Sequence, residues 1–180
     1  MKIASRSEIQ RLLVLKDVMA LMRDALIAQS RGECDTPLPM HLAVPERRGE
    51  IHIKSSYRDG GEHFVVKIAS GFPGNVGTGL PTANGLMLLV SAHSGEPVAM
   101  LQDAGDLTDA RTAAVAAMAA REVGRKDASL GIIGSGVQAR WQARAHAEIL
   151  PLRDRAGLEF AQFHEHFGHR FVLAGEKMRG

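Results

Sequence analysis

The sequence has 180 residues, of which 45% are hydrophobic and 23% charged, a composition typical of globular proteins. The formal net charge is only +2, and the Lys and Arg residues are scattered, which argues against a nucleic-acid or membrane partner. No apolar stretch approaches the roughly 20 residues of a membrane span, and charged residues interrupt the N-terminal apolar runs as they would not in a signal peptide. The single cysteine, Cys34, cannot form an internal disulfide. We therefore expect a cytoplasmic protein.

The N-terminal region has the pattern of a helix. Ser7 to Gln10 has the spacing of a capping box. From Leu15 to Ser30 apolar residues recur at helical spacing, and Gly32 is placed as a stop. This helix should be amphipathic, with about four turns.

The period changes in the next segment, where short β-prone runs occur at 50–54, 64–69, 86–90 and 98–101. Residues 93–97 have the composition of a turn between the last two runs. Strands at such short spacing predict a largely antiparallel or mixed sheet across roughly 38–102.

A second helical region follows the sheet. Leu107-Thr108-Asp109 is predicted to cap an alanine-rich helix over 112–122, whose small side chains allow close approach of another element. A strand is then predicted at 129–133, followed by a glycine turn at 134–136 and a helix to about Ile149.

The glycine turn carries the clearest chemical signal. Gly134-Ser135-Gly136-Val137-Gln138-Ala139 fits G-x-G-x-x-A between a strand and a helix. The first glycine permits the sharp turn, the second leaves room for a pyrophosphate, and the small third residue lets helix and strand pack. The helix N-terminus offers N–H groups to the phosphates. The alternative is a plain turn in another α/β protein.

The usual determinant of cofactor choice is not evident. About 20 residues after the turn, a second strand should end in an acidic residue for NAD or a basic one for NADP. Neither Asp154 nor Glu159 lies convincingly at a strand end. The choice between NAD and NADP therefore stays open.

Four motifs in fixed order resemble a known family. They are Lys67-Ile68-Ala69-Ser70-Gly71-Phe72-Pro73-Gly74-Asn75, Gly79-Leu80-Pro81-Thr82-Ala83-Asn84-Gly85, Leu107-Thr108-Asp109-Ala110-Arg111-Thr112-Ala113-Ala114 and Gly134-Ser135-Gly136-Val137-Gln138-Ala139. The series closely resembles the ornithine cyclodeaminase/mu-crystallin family over about 1–150.

The resemblance implies an α/β protein with an N-terminal α+β substrate and dimerisation domain at 1–124. An incomplete Rossmann-type dinucleotide-binding domain would begin at 125–150, and a non-family tail would occupy 151–180. The implied cofactor is NAD or NADP, the substrate is a small-molecule amino acid or cyclic imine, and the assembly is a homodimer. Family reactions are cyclodeamination, imine reduction and amino-acid dehydrogenation, which all exchange a hydride between the nicotinamide and a carbon bearing nitrogen.

The resemblance also implies site residues. Lys67 would be catalytic and bind the substrate together with Arg111. The implied cofactor contacts are Thr82, Arg111, Gly134, Gly136, Val137 and Gln138.

The residue types are chemically reasonable in these roles. Lys67 interrupts an apolar run, where a buried ammonium would need an anionic partner such as a substrate carboxylate. Arg111 is predicted in the first turn of a helix, where a guanidinium beside free N–H groups makes an anion-binding corner. The alternatives are a lysine on the solvent face of a strand and an ordinary surface arginine.

The match departs from the family at two places. Where the family usually carries an arginine, this chain has Pro39-Met40-His41-Leu42. His41 with His52-Ile53-Lys54 is closer to a branch that includes ectoine-utilisation cyclodeaminase-like proteins. We therefore expect His41 to bind substrate, and a substrate other than ornithine.

The second departure is the segment after Leu150. Residues 151–180 do not resemble the family continuation and are too few to complete the parallel sheet, although 158–163 and 171–173 have the pattern of short strands. A truncated gene, a frameshifted tail or an incomplete gene model would each explain this, and we expect an inactive or very slow enzyme. The alternative is a non-catalytic dimerising or nucleotide-binding fragment.

The tail also contains His164, His166 and His169, a spacing that metal ligands can have. No cluster of Cys or Asp residues supports it, and no metal site is predicted.

Overall fold

The structure is a computed structural model that describes residues 1–124, 130–149 and a short strand at 172–173. The chain divides into two compact units. The first comprises Met1–Leu13 and Asp24–Leu107, and the second comprises Val14–Arg23 and the described residues from Thr108 onward. Among the residues that the structure describes, none of the helices has the length and apolar character needed to cross a bilayer. The functional boundaries predicted at 124 and 150 stay a prediction.

The first unit is built on a mixed sheet of seven strands. The strands are β1 (Lys2–Ala4), β2 (Cys34–Asp35), β3 (Met40–Val44), β4 (Gly49–Arg58), β5 (His63–Gly71), β6 (Ala83–Ser91) and β7 (Pro97–Leu101). Their order is β1-β7-β6-β5-β4-β2, and β3 also pairs with β4. All pairs are antiparallel except β1 with β7, which is parallel. The mixed sheet predicted for 38–102 is confirmed, but the sequence pattern did not show β1, β2 or β3.

The remaining elements of the described residues are four α-helices, two short 3-10 helices at Pro45–Arg47 and Pro73–Asn75, and a small two-stranded sheet. The helices are α1 (Arg6–Leu12), α2 (Leu15–Ser30), α3 (Asp106–Val123) and α4 (Val137–Ile149), and the strands are β8 (Gly131–Ile132) and β9 (Val172–Leu173). Strands β8 and β9 pair antiparallel. The predictions for α2 and α4 are confirmed, and β9 at 172–173 lies within the segment 171–173 that was predicted as a short strand. The predicted strand at 158–163 lies outside the described residues.

The capping box of α1 lies two residues earlier than predicted. Ser5, not Ser7, is the N-cap, and its backbone N–H donates to the Glu8 carboxylate at 2.8 Å. The Ser5 hydroxyl accepts from the Glu8 backbone N–H at 3.4 Å. The carboxylate of Glu8 is a stronger acceptor than the Gln10 amide, which favours this start.

Helix α3 also begins earlier than predicted. Its first residue is Asp106, and the Asp103 carboxylate accepts from the Leu107 backbone N–H at 3.0 Å. Asp103, rather than Leu107-Thr108-Asp109, therefore satisfies an N–H group that the first turn leaves without a helical partner. Because the helix starts at 106, Arg111 is in its second turn.

The core of the second unit depends on small side chains. Ala113, Ala114 and Ala117 of α3 are each fully buried, at 0% exposure. They form one cluster with Met19 of α2 and Ala145 of α4. The prediction that an alanine-rich helix permits close approach of another element is confirmed, because methyl side chains keep the helix surface narrow.

Candidate functional site

The register of β3, β4 and β5 separates two faces of the sheet. His41 lies opposite His52, and Lys54 lies opposite Lys67. Directly opposed residues point to the same face, and so do residues two apart on one strand. His41, His52, Lys54 and Lys67 therefore share one face, which we call the polar face, and Glu50 lies on it as well.

The sequence left two alternatives for Lys67, a buried ammonium with an anionic partner and a lysine on the solvent face of a strand. Its surroundings in the structure are intermediate between them. It is half-buried in the middle of β5, opposite Met87 on β6 as well as Lys54 on β4. A half-buried ammonium keeps part of its hydration and still favours an anionic partner. The structure brings Lys67 and His41 onto the same face, as a shared role in binding a substrate requires.

Thr82 belongs to a separate feature at one end of the sheet. It lines a cavity of about 240 Å³ together with Ser70, Phe72, Asn75, Leu80, Pro81, Ala83 and Asn84. The Phe72 backbone N–H donates to the Thr82 carbonyl at 2.8 Å, and the Asn75 amide donates to the Pro81 carbonyl at 2.8 Å. The motifs at 67–75 and 79–85 thus form one structural feature, although 80–82 are exposed.

The glycine turn in the second unit has the geometry that its motif requires. Gly134 has φ of +109°, a conformation that residues with a side chain rarely adopt. Gly136 immediately precedes α4, and a Cβ atom added there would meet no heavy atom of the described residues within 4 Å. The absent side chain leaves open space beside the first N–H groups of a 13-residue helix. This space and these donors suit a phosphate group.

A hydrogen bond from Gln138 connects this turn to α3. Its amide Nε2 donates to the Asp109 carboxylate at 2.5 Å. Among the described residues, its Oε1 is the buried side-chain oxygen or nitrogen that lacks a hydrogen-bond partner. A buried acceptor without a donor is unfavourable by about 1–3 kcal/mol. A ligand that supplies a hydroxyl or N–H group there would remove this cost, so the residues present fit a dinucleotide.

Asp109 was not recognised as a site residue in the sequence, where it was interpreted as a helix cap. The bond to Gln138 joins two of the four family motifs through residues that are 29 positions apart in the chain. The order of the motifs could have suggested this contact, but no local pattern specifies it.

The local argument for Arg111 was wrong. Arg111 is exposed in the second turn of α3, where backbone N–H groups already donate within the helix. It therefore does not lie beside the free N–H groups of the first turn. Its predicted role in binding substrate and cofactor depends on the family resemblance alone and stays a prediction.

The first residue of α3, Asp106, has a buried carboxylate that lies within the first unit. Asp106 accepts from Arg6 Nε at 2.8 Å and Nη2 at 2.9 Å, and from the Gln10 amide at 2.7 Å. The bond to Arg6 is the main cause that holds the pKa of Asp106 below its usual value, while burial opposes this effect. The charged form of Asp106 is thus the one that the fold stabilises.

Comparison with known proteins agrees with the motifs. The sequence model of the ornithine cyclodeaminase/mu-crystallin family matches residues 1–156. An uncharacterized cyclodeaminase of Sinorhizobium fredii is 40% identical over 156 residues, which cover 85% of this chain and 47% of that protein. The chain therefore spans about half the length of this relative.

Two solved structures share the fold. A Δ1-pyrroline-2-carboxylate reductase of Thermococcus litoralis, in complex with NADH and L-proline, is 33% identical with a TM-score of 0.79, over 84% of this chain and 47% of that one. An archaeal alanine dehydrogenase dimer with bound NAD is 27% identical with a TM-score of 0.78, over 84% and 46%. Since the family match covers most of the chain and the motifs lie in the expected elements, this chain belongs to the ornithine cyclodeaminase/mu-crystallin family.

Proposed function

We propose that this chain binds NAD or NADP and contributes to hydride exchange at the nitrogen-bearing carbon of an amino acid or a cyclic imine. The observation that carries the proposal is the turn at 134–138, with open space at Gly136 and the unsatisfied Oε1 of Gln138. The relatives described above, an NADH-bound reductase and an NAD-bound dehydrogenase, support the same chemistry. We assign 1–124 to substrate binding and dimerisation and 125–150 to the start of the nucleotide-binding domain.

The turn has three tasks in cofactor binding. Gly134 reverses the chain after β8, Gly136 leaves space for the pyrophosphate, and the N–H groups from Val137 onward donate to it. Gln138, held by Asp109, presents its free oxygen to a cofactor hydroxyl or amide group. Thr82 and Arg111 are assigned further cofactor contacts by the family resemblance. When bound, the nicotinamide supplies or accepts the hydride.

The polar face has the charge that an amino-acid substrate requires. Lys67 is proposed to bind and polarise the substrate through its carboxylate, with His41 as a second contact and Arg111 as a third. A half-buried cation binds a carboxylate more strongly than an exposed one, because less water competes. His41 in place of the usual family arginine favours a substrate other than ornithine.

The opposite face of the sheet supports the proposed homodimer. Nine large apolar side chains point to it: Met40, Leu42, Ile51, Ile53, Val66, Ile68, Leu86, Leu88 and Met100. None of the nine is buried, and Met40 and Leu42 remain 54% and 48% exposed. An apolar sheet face that is left partly exposed in this way favours association, and we propose that a second copy covers it.

The function is tested first by binding and then by turnover. Purified chain is titrated with NADH and with NADPH by fluorescence and then assayed for NADH oxidation with Δ1-pyrroline-2-carboxylate and for NAD reduction with L-proline and L-alanine. Binding with turnover supports the full proposal. Binding without turnover favours the second candidate, a nucleotide-binding fragment that does not catalyse. No binding of NADH or NADPH would overturn both.

Lys67 is tested against its cross-strand neighbour. Lys67→Ala should abolish turnover and leave NADH binding intact, because Lys67 is assigned to the substrate. Lys54→Ala is the matched control, since Lys54 lies directly opposite on the same face. Equal losses in both variants would assign the effect to the general charge of the face, and not to Lys67.

A further inference from the structure

Three side chains on the polar face have the chemistry of metal ligands. His41 on β3 lies directly opposite His52 on β4, and Glu50 precedes His52 by two residues, so that all three point the same way. One ligand atom from each lies within 4.8 Å of the others. Nothing in the family motifs quoted above includes these three residues.

The distances suit an ion better than direct hydrogen bonds. Glu50 Oε2 is 3.5 Å from His41 Nε2 and 3.5 Å from His52 Nε2. Hydrogen bonds between nitrogen and oxygen are usually about 2.7–3.2 Å long. Two ligands of a tetrahedral zinc ion, each bonded at about 2.0–2.2 Å, lie roughly 3.3–3.6 Å apart. Both Glu50–histidine distances fall in the second range, and the ligand atoms of the two histidines lie within 4.8 Å of each other.

The local backbone keeps the cluster in place. The two imidazole rings stack with centroids 4.8 Å apart and an angle of 29° between their planes. Both rings belong to paired strands, whose ladder of hydrogen bonds fixes the positions of their Cα atoms. A site on strands is positioned more accurately than one on loops, so little reorganisation would accompany metal binding.

We propose that His41, Glu50 and His52 bind a divalent transition-metal ion, with Zn²⁺ as the first choice. Two imidazoles and one carboxylate suit zinc and disfavour Mg²⁺ and Ca²⁺, which prefer oxygen ligands alone. The three side chains are 52%, 55% and 38% exposed, in the order His41, Glu50, His52. An ion can therefore enter from solvent, and a fourth position stays open to water or to a ligand carboxylate. The site shares His41 with the proposed substrate contacts, but it goes beyond the proposed function and does not depend on it.

The test measures metal binding directly. Full-length chain without an affinity tag is dialysed against ZnCl2, and bound zinc is counted by elemental analysis and isothermal titration. Because His164, His166 and His169 could bind zinc independently, the measurement is repeated with all three changed to alanine. We expect one zinc per chain in both proteins.

Variants of the cluster locate the ion. His41→Ala and His52→Ala should each weaken zinc binding by more than about 100-fold, since even loss of an outer-shell partner commonly costs 10–100-fold. His63→Ala, an exposed histidine of β5, should leave binding unchanged. Co²⁺ should give visible absorption bands of a tetrahedral site that disappear in the two cluster variants. Circular dichroism melting shows whether each variant is folded.

Two results would overturn the proposal. One is zinc binding that survives in His41→Ala and His52→Ala, and the other is zinc binding that disappears with the three tail substitutions. Zinc binding with no effect on NADH affinity would leave both this proposal and the proposed function intact, because the readouts are separate.

Discussion

Replacing Gly136 with Asp should separate the stability of the fold from cofactor binding. Position 136 immediately precedes α4, and an added Cβ meets open space in the described part of the chain. Asp is among the preferred residues at this position, better than Gly by a few tenths of a kcal/mol. Its charge is also favourable near a helix N-terminus, by about 0.3–1 kcal/mol. The variant should therefore be as stable as the original protein or slightly more stable.

Binding should change in the opposite direction. The Asp carboxylate would occupy the space proposed for the pyrophosphate, and two unit charges about 5 Å apart repel by about 3 kcal/mol at an effective dielectric constant of about 20. Since about 1.4 kcal/mol is a tenfold change in affinity, NADH binding should weaken by more than about 100-fold.

The assay combines thermal melting with fluorescence titration of NADH. Gly136→Asn has nearly the same size and also caps the helix, so the difference between Asp and Asn isolates the charge. Gly131→Asp adds the same charge to β8, where an added Cβ also meets open space, and should bind NADH normally. Unchanged NADH affinity in Gly136→Asp would refute the assignment of the turn. A loss of more than about 1 kcal/mol in stability would refute the open space at this position.

Four further predictions concern the fold and the assembly. Asp106→Asn should lower the free energy of unfolding by about 1–3 kcal/mol at pH 7, measured by urea denaturation, because it removes a charge-assisted bond pair from a nearly buried group. Since folding lowers the pKa of Asp106, the difference should be fully present well above 3.8, the usual value, and should disappear as the pH falls through the lower folded pKa; a difference that persists in acid would contradict this. Ala117→Leu should cost about 1–3 kcal/mol in the same measurement, because the side chain at 117 is fully buried, and an unchanged midpoint would show that the cluster has spare room. Gly134→Ala should cost about 1–3 kcal/mol through its φ of +109°, and a neutral result would be evidence against that conformation. Leu42→Glu should shift the chain from dimer to monomer in analytical ultracentrifugation. Leu38 lies off the sheet and is 94% exposed, so Leu38→Glu should leave the dimer intact. A dimer in both variants would place the interface elsewhere.

The sequence predicted the features that depend on local periodicity. The helix from Leu15 to Ser30, four of the seven strands of the mixed sheet (β4 to β7) and the turn at 134–136 were recognisable, because helical and extended residues repeat with different periods. The predictions of where each helix begins were less accurate. Ser5 and Asp103 replaced the expected caps, since several residues near each start can supply a suitable oxygen and only the final backbone path selects one.

The family motifs fixed the location of the candidate site but not its internal contacts. Gly134 and Gly136 were identified from their spacing, and their conformation and open space agree with the expected roles. The local argument for Arg111 failed because it depended on a helix start that was misplaced by several residues, whereas its role stays a prediction.

Tertiary structure alone decided which distant side chains meet. Arg6 and Asp106 are 100 residues apart in the chain, and Asp109 and Gln138 are 29 apart. His41 and His52 are neighbours only because β3 and β4 pair in one particular register, and a shift by one residue would move either histidine to the other face. Local periodicity determines which elements form, whereas register and packing determine which of their side chains come into contact, and the candidate metal cluster follows from register alone.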